Sequence, residues 1–254
     1  RNPRLIIIVA GCVAQQLGAD LLGRFEHLDL VLGTRGIPSV GNLLRRVATQ
    51  SERLVYLPES EEEGWDSLLG QGQLRAPGVV APVTIMQGCD NFCSYCIVPH
   101  VRGRERSRPA ASILAEIEAL TRQGVREVLL LGQNVNSYGR GLPESLTFSQ
   151  LLRQIQDETS VLRIRFTTSH PKDLTEELIG SFARLPRLCR WIHLPFQSGS
   201  DRVLRRMNRG YTSARYLSLI GELRSACPDM GLSSDVMVGF PGESEEDFRQ
   251  TLQL

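Results

Sequence analysis

Three of the six cysteines of this 254-residue chain, Cys89, Cys93 and Cys96, fall within eight positions of one another. Thiolates at spacings of four and three residues can hold three corners of an iron–sulfur cube, because soft sulfur donors select such clusters over metals that prefer oxygen. Three protein ligands leave the fourth iron open, and an open position is what a catalytic metal centre needs. The spacing therefore indicates a [4Fe–4S] cluster with a chemical role, since a pure electron carrier would need a fourth cysteine close by.

A zinc site is the alternative to a cluster at this loop. His100 lies four residues after Cys96, so it can complete a tetrahedral Cys₃His site with the three cysteines. The aromatic Tyr95, directly before the last cysteine, and the position of the loop after a predicted strand both favour the cluster. Two later cysteines, Cys189 and Cys227, match no motif and are predicted to be core residues.

Composition places the chain among globular proteins. Hydrophobic residues make up 41% and charged residues 22% of the sequence, and the formal net charge of +1 neither favours nor excludes a nucleic-acid partner. No apolar run approaches the ~20 residues that cross a bilayer, and no signal peptide is recognisable. Crowded cysteines indicate metal chemistry in the reducing cytoplasm. Because the first residue is not Met and the last lies in a predicted helix, we expect a fragment of a longer protein.

Alternating strands and helices predict an α/β fold in two parts. Residues 1–50 contain buried strands joined by helices, and residues 51–75 lose this pattern and are predicted to be a linker. From residue 76 to 254, five strand–helix units predict a parallel barrel or a doubly wound sheet. The predicted strands are Val79–Met86, Val128–Leu131, Leu162–Thr167, Trp191–Leu194 and Leu232–Val238. In either fold the chemistry lies at the carboxyl ends of the strands, and the cysteine loop follows the first of them.

Local signals predict helix boundaries and a basic stripe. A helix is expected from about Ala14 to Phe25, Asp173 and Glu176 fit a capping box, and Ser244 fits the N-cap of the last helix. Four arginines alternate along the chain after the cysteine loop, so an extended backbone would point them all one way as a phosphate-positioning stripe. A solvated arginine run with Glu105 as partner is equally compatible with the pattern; the arginines are Arg102, Arg104, Arg106 and Arg108.

The pattern Cys-x₃-Cys-x-aromatic-Cys after a first strand resembles the signature of the radical S-adenosylmethionine superfamily, whose fold is a partial (β/α)₆ barrel. The resemblance implies that the open iron chelates the amino and carboxylate groups of S-adenosylmethionine. An electron then cleaves the sulfur–carbon bond and yields a 5′-deoxyadenosyl radical, so no side chain is implied as a catalytic group. Polar strand-end residues hold the cofactor in this superfamily, which implies contacts from Tyr95, Gln133, Asn134, Ser169, Gln197, Ser198 and Asp235. Such residues also cap helices or pack in cores, and a structural role stays open for each.

Six sequence blocks narrow the resemblance to methylthiotransferases. They cover residues 88–99, 102–109, 131–139, 165–171, 193–201 and 239–243. They are similar to the MiaB-type branch, which adds a methylthio group to isopentenyladenosine beside the tRNA anticodon. This resemblance implies a transferase that uses two S-adenosylmethionine molecules per product, and a flavodoxin-like α/β domain before the barrel. It also implies the tRNA anticodon stem-loop as a partner, an electron donor such as a flavodoxin or ferredoxin, and further domains beyond residue 254.

The same resemblance gives Cys12 a role. Gly11-Cys12-Val13-Ala14-Gln15 matches the third ligand site of an auxiliary [4Fe–4S] cluster, whose other two cysteines are expected upstream. Without the resemblance, Cys12 would be a small buried residue at a strand end.

Two other functions stay open from the sequence. The ribosomal-protein branch of the methylthiotransferases would keep the chemistry and modify an aspartate side chain instead of RNA. A zinc-containing RNA-binding module would carry out no catalysis. Metal analysis separates the second alternative from the main interpretation, and assays with both substrates separate the first.

Overall fold

The computed structural model describes residue 2 and residues 5–50, 52–58 and 78–254, and the chain separates into two compact units. The first unit comprises Arg1–Gln73 with Ile97–Gly103, and the second comprises Leu74–Cys96 with Arg104–Leu254. The short segment that directly follows the cysteine loop therefore belongs to the first unit. Most of the predicted linker, residues 59–75, lies outside the described residues.

The described part of the first unit is a three-stranded parallel sheet with helices on both faces. Its strands β1 (Ile8–Ala10), β2 (Leu30–Leu32) and β3 (Leu54–Tyr56) pair in that order. Its helices are α1 (Cys12–Leu17), α2 (Ala19–Arg24), α3 (Val40–Gln50) and α4 (Val98–Val101). In β2, Leu30 and Leu32 pack towards α3, whereas Val31 packs with Ala14 and Leu21. Successive residues of the central strand thus bury both faces, as a covered parallel sheet requires.

Two predictions for the first unit are wrong. The helix expected from Ala14 to Phe25 is broken at Gly18, whose positive φ of 51° suits a residue without a Cβ. β3 lies in the segment that was predicted to be a linker. Three residues are too few to show a strand pattern by themselves, and β3 exists because it pairs in register with β2.

The second unit contains five parallel strands that follow one another in chain order. β4 (Val80–Thr84) leads into the short antiparallel pair β5 (Met86–Gln87) and β6 (Arg106–Ser107), which flanks the cysteine loop. β7 (Glu127–Leu131) and β8 (Arg163–Phe166) extend the sheet of β4, and β9 (Trp191–His193) pairs with β10 (Gly231–Ser233). A parallel bridge from Ile164 to Leu188 connects β8 to the segment that enters β9. The predicted partial parallel barrel is confirmed, although β10 is shorter than expected.

Helices connect these strands and begin at polar caps. They are α5 (Ala110–Arg122), α6 (Phe148–Glu158), α7 (Glu176–Arg184), α8 (Asp201–Arg206), α9 (Ser213–Ala226) and α10 (Glu245–Gln253). The prediction for α10 is confirmed, since Ser244 and Asp247 form a capping box. The capping box of Asp173 and Glu176 is wrong, because Thr175 caps α7 and Asp173 is buried in other contacts.

A hydrophobic core fills the second unit and fixes the strand ends. Ile117 of α5, Val128 of β7 and Ile164 of β8 are fully excluded from solvent. The rings of Phe148 and Phe166 meet edge to face with centroids 5.0 Å apart. The helices around this core are short, and within the part of the chain that the structure describes none is long and apolar enough to span a membrane.

Candidate iron–sulfur site

The cysteine loop begins where the first strand of the second unit ends. Gly88 takes a φ of 75°, and its backbone N–H donates to Oε1 of Gln133 at 2.7 Å. Phe92 takes a φ of 47°, which is uncommon for a bulky residue, and the N–H of Cys96 donates to the carbonyl of Cys93 at 2.9 Å. These turns place the three cysteines within one short loop.

The three thiols are free and lie within electrostatic reach of one another. None takes part in a disulfide; Cys93 is buried, and Cys89 and Cys96 are half-buried. Burial raises the pKa of the Cys89 thiol to about 11, and negative charge on Cys93, Glu105 and Cys96 adds to this rise. Three soft donors that repel one another as thiolates are the set that positively charged iron stabilises, so the residues fit a cluster.

The loop does not have the geometry of a single-ion site. Among the residues that the structure describes, no three or more His, Cys, Asp or Glu side chains are arranged to hold one metal ion. The three protein ligands of a cube bind three different iron atoms, so they lie farther apart than the ligands of one zinc ion. The Cys₃His zinc alternative is therefore not favoured.

Distant segments of the second unit hold the loop in place. The side-chain amide of Asn208 donates to the carbonyls of Asn91 and Phe92 at 3.4 and 3.0 Å. The backbone N–H and the hydroxyl of Ser94 donate to the carbonyls of Met207 and Arg206, each at 3.0 Å. The end of α8 thus fixes the loop through polar contacts that the sequence did not predict.

Two buried basic side chains, Arg209 and His170, lie against Cys93, and the sequence does not predict either as a neighbour of the cluster. Nη1 of Arg209 donates to Sγ of Cys93 and to Oη of Tyr95, both at 3.3 Å, and Arg209 is only 5% exposed. Nε2 of His170 lies 3.9 Å from the same sulfur. Burial, with a smaller contribution from the charge of Arg209, lowers the pKa of His170 to about 3, so its ring is neutral.

Asp173 connects the loop to the ends of β7 and β8. Its Oδ2 accepts from the amide of Asn134 at 2.7 Å and from that of Asn91 at 3.3 Å, and its Oδ1 accepts from Arg140 at 2.7 Å. Burial alone would raise the pKa of Asp173, but the hydrogen bonds from Arg140 and Asn134 lower it, so the carboxylate is charged. Asp173, Arg140 and Lys172 also line a cavity of about 470 Å³.

The ends of β9 and β10 carry two further predicted cofactor contacts. Gln197 takes a φ of 66°, its N–H donates to the carbonyl of Asp235 at 3.1 Å, and its carbonyl accepts from Met237 at 2.9 Å. Oδ2 of Asp235 lies 3.3 Å from Nε2 of His193, and its side chain is 69% exposed. A non-glycine residue held at positive φ stores strain, which is a feature of functional sites.

Ser169 and Ser198 differ in their surroundings. The hydroxyl of Ser169 is buried and, among the residues that the structure describes, has no hydrogen-bond partner. Ser198 is fully buried; its hydroxyl lies 3.3 Å from that of Thr251 in α10 and accepts from the N–H of Ser200. Ser169 therefore has unused hydrogen-bonding capacity, whereas Ser198 holds the strand end against α10.

The predicted arginine stripe is wrong. Within this run the strand β6 covers Arg106 and Ser107, and Gly103, with a φ of 79°, turns the chain before it. Arg108 is 1% exposed and its Nη1 donates to the carbonyl of Thr84 and to Glu116, at 2.6 and 2.7 Å. Arg104 instead pairs with Asp90 of the cysteine loop at 2.9 Å. One arginine of such an alternating run can be buried, because the spacing of charges along the sequence does not indicate which side chains are exposed.

Cys12 lies in the first unit. It is the first residue of α1, directly after Gly11 with its φ of 100°, and it is half-buried. Of the two remaining cysteines, Cys227 is buried with the core, as predicted, and Cys189 is half-buried.

A family comparison matches this site. The sequence model of the Radical SAM superfamily matches residues 83–254, which include the end of β4, the cysteine loop and the parallel strands β7 to β10. The chain belongs to the radical SAM superfamily. The resemblance to this superfamily is confirmed, and the match supports an iron–sulfur cluster and S-adenosylmethionine as cofactors.

Curated relatives resemble this radical SAM chain over its entire length. It is 61% identical to the tRNA-2-methylthio-N(6)-dimethylallyladenosine synthase of Syntrophobacter fumaroxidans, over 100% of the chain and 55% of the relative. It is 53% identical to the protein of the same name from Geobacter metallireducens, over 100% of the chain and 57% of the relative. The resemblance to methylthiotransferases is thus confirmed, and the chain spans little more than half the length of these relatives.

Solved structures share the fold of the radical SAM chain at low sequence identity. The cobalamin-dependent S-adenosylmethionine radical enzyme OxsB, with aqua-cobalamin and S-adenosylmethionine bound, covers 98% of the chain and 38% of its own with a TM-score of 0.64 and 16% identity. The radical S-adenosylmethionine methyltransferase TsrM from Kitasatospora setae covers 68% of the chain and 34% of its own, with a TM-score of 0.52 and 20% identity. These similarities bear on the fold alone.

Proposed function

We propose that this chain is the radical-generating part of a tRNA methylthiotransferase that adds a methylthio group to C2 of isopentenyladenosine beside the anticodon. The observation that carries the proposal is the 61% identity, over the whole chain, to a protein named for this product. The matched span includes the cysteine loop and the strand ends, where the chemistry of a parallel barrel takes place. The C2 hydrogen of adenine is not activated towards polar substitution, which is the chemical reason for a radical route.

Cys89, Cys93 and Cys96 are proposed to hold a [4Fe–4S] cluster. Such a cluster would leave one iron open for S-adenosylmethionine and would supply the electron that radical chemistry on this cofactor needs. The geometry of the loop supports this assignment, because three free thiols share one short, well-anchored loop. Arg209 adds a buried positive charge beside Cys93, which attracts the carboxylate of the cofactor to this side of the loop.

The proposed contacts to S-adenosylmethionine come from the ends of four strands, β7, β8, β9 and β10, and from the loop. Ser169 offers a buried hydroxyl without a partner among the described residues, and the exposed carboxylate of Asp235 can accept from a ribose hydroxyl. Gln133 and Asn134 also bond the protein itself, to Gly88 and Asp173. The proposed set is Tyr95, Gln133, Asn134, Ser169, Gln197 and Asp235; Ser198 is left out because its hydroxyl is buried against α10.

Cys12 is proposed as one ligand of a second, auxiliary [4Fe–4S] cluster. A half-buried, free thiol directly after the turn at Gly11 supports a ligand role. Two further cysteines from outside this sequence would complete the set. The proposal also includes the tRNA anticodon stem-loop as substrate, a flavodoxin or ferredoxin as electron donor, and a reducing cytoplasmic location in keeping with the free thiols.

The test is a product assay with the full-length protein after anaerobic reconstitution with iron and sulfide. The protein receives S-adenosylmethionine, a reductant, and either an isopentenylated anticodon stem-loop or ribosomal protein. Mass spectrometry of the digested products is expected to find the methylthio group on the isopentenylated adenosine only. A Cys93→Ala variant serves as the negative control. If only the ribosomal protein gained the group, the substrate assignment would be wrong.

A further inference from the structure

Cys93 receives side-chain N–H groups from two distant parts of the second unit. Nη1 of Arg209 lies 3.3 Å from its sulfur, and Nε2 of His170 lies 3.9 Å from it. The two residues stand 116 and 77 positions from Cys93 in the sequence, so only the fold brings them together. All three side chains are at least nine-tenths buried, and water does not compete for these contacts.

The hydrogen bonds of His170 decide which of its ring nitrogens carries the proton. The backbone N–H of Lys172 donates to Nδ1 of His170 at 3.2 Å. A ring nitrogen that accepts a hydrogen bond carries no proton, so in the imidazole ring the hydrogen must be on Nε2. His170 therefore directs an N–H group at the sulfur of Cys93.

We propose that His170 and Arg209 are positioning residues that hydrogen-bond the Cys93 thiolate and raise the reduction potential of the cluster. The inference rests on the proposed ligand set. Reduction adds one negative charge to a cluster, and N–H groups and a positive charge beside a ligand sulfur stabilise that added charge. Because the site excludes water, each contact has a larger effect than at a surface.

The sulfur of Cys89 has a different kind of contact. The Cys89 sulfur meets the backbone N–H of Asn91, which belongs to the loop itself and is present wherever the loop folds. The contacts to Cys93 depend instead on the segment after β8 and on the segment after α8. The protein can thus adjust the cluster through two residues without altering its ligands.

A pair of nearly isosteric substitutions separates the two nitrogens of His170. In His170→Asn, the amide oxygen takes the place of Nδ1 and still accepts from Lys172, but the donor near Cys93 is lost. In His170→Gln, the amide nitrogen takes the place of Nε2 and keeps that donor, whereas the acceptor for Lys172 is lost. A merely structural role in capping the turn at Pro171–Asp173 would make His170→Gln the more damaging change.

The experiment is a redox titration of the reconstituted full-length protein, monitored by electron paramagnetic resonance in the absence of S-adenosylmethionine. We expect a more negative potential for His170→Asn and a potential near wild type for His170→Gln. Arg209→Gln should shift the potential further in the negative direction, because it loses a charge as well as a donor, and Arg209→Lys should shift it less. Arg205 is an exposed residue of α8, and Arg205→Gln is therefore the control for the loss of one arginine. This variant should leave the reduction potential unchanged.

The outcomes distinguish this inference from the ligand assignment. Equal potentials in wild type, His170→Asn and Arg209→Gln would overturn the inference and leave the ligand assignment standing. A Cys93→Ala protein with an unchanged cluster would overturn both. If His170→Asn fails to retain a cluster that His170→Gln retains under the same conditions, the donor role is supported by cluster stability, measured as iron and sulfide per chain.

Discussion

In the second unit, the carboxyl ends of β7 and β8 and those of β9 and β10 differ in how their polar side chains are held. On the side of β7 and β8, the buried carboxylate of Asp173 accepts from Asn134, Asn91 and Arg140. On the side of β9 and β10, the carboxylate of Asp235 is largely exposed and lies 3.3 Å from Nε2 of His193. Gln197 stands beside it in a strained backbone conformation.

This difference separates two tasks that the site must perform. The buried carboxylate of Asp173 with its three donors fixes a single arrangement, and the cysteine loop is attached to it through Asn91. Exposed polar groups retain hydrogen-bonding capacity for a ligand, and backbone strain is tolerated where function requires it. We infer that Asp173 holds the cluster loop, whereas Gln197 and Asp235 on the β9–β10 side are left available for the cofactor. The hydroxyl of Ser169, which is unpaired within the described part of the chain, is available to the cofactor as well.

The largest expected effect is the loss of the buried carboxylate. Asp173→Ala leaves Asn134 and Asn91 without their acceptor, and we expect the free energy of unfolding to fall by about 2–4 kcal/mol. The lower end applies if Arg140, whose side chain is 57% exposed, regains water. Urea denaturation measures the change, and Asp235→Ala is the matched control, with an expected effect below about 0.5 kcal/mol because its carboxylate is largely exposed. Equal effects in the two variants would contradict the proposed division of tasks.

A pH series sharpens the same comparison. The pKa of Asp173 is lower in the folded protein than in the unfolded chain, so its charge stabilises the fold at pH values above the ordinary carboxyl pKa of about 3.9. This contribution is lost as the pH falls through the folded pKa. We therefore expect the stability difference between wild type and Asp173→Asn to be constant near neutral pH and to shrink below about pH 4. A stability difference that persists unchanged to pH 2 would mean that it arises from packing and not from the charge of Asp173.

On the β9–β10 side, we expect an effect on cofactor binding rather than on stability. Gln197→Ala removes a polar side chain from the strained turn, and its affinity for S-adenosylmethionine should fall about tenfold, as for the loss of one or two hydrogen bonds. Calorimetric titration of the reconstituted protein measures this. Asp173→Asn should change the affinity for S-adenosylmethionine less than Gln197→Ala does. The reverse order would contradict the proposed difference between the two sides.

The smallest effect is expected at Ser198. Ser198→Ala removes contacts with Thr251 and Ser200, which should cost about 1 kcal/mol of unfolding free energy and leave the affinity for S-adenosylmethionine unchanged. A tenfold loss of that affinity at unchanged stability would instead return Ser198 to the set of cofactor contacts.

Much of this architecture is predictable from the sequence, because it depends on local patterns. The apolar runs that became β7 and β9, the N-cap at Ser244 and the cysteine spacing are short-range signals that survive folding. The break at Gly18 and the strand β3 depend on pairing with distant segments, which a local pattern does not contain.

The side-chain network of the site was less predictable for the same reason. Asp173 fits a capping box in the sequence, but three long-range hydrogen bonds determine its position. Arg209 lies in no metal-binding pattern, and its contact with Cys93 exists only in the fold. Arg108 belongs to an alternating run and is nevertheless buried beside Glu116. Sequence spacing identifies groups that act together within one loop, whereas partners from other loops require the structure.

The central claim is tested most directly by metal analysis of the reconstituted chain and its Cys93→Ala variant, with Cys189→Ala as the control for loss of a cysteine. We predict about four iron and about four sulfide per chain in wild type and in Cys189→Ala, and loss of the cluster and its visible absorption in Cys93→Ala. One zinc without iron in wild type, or a full cluster in Cys93→Ala, would contradict the account.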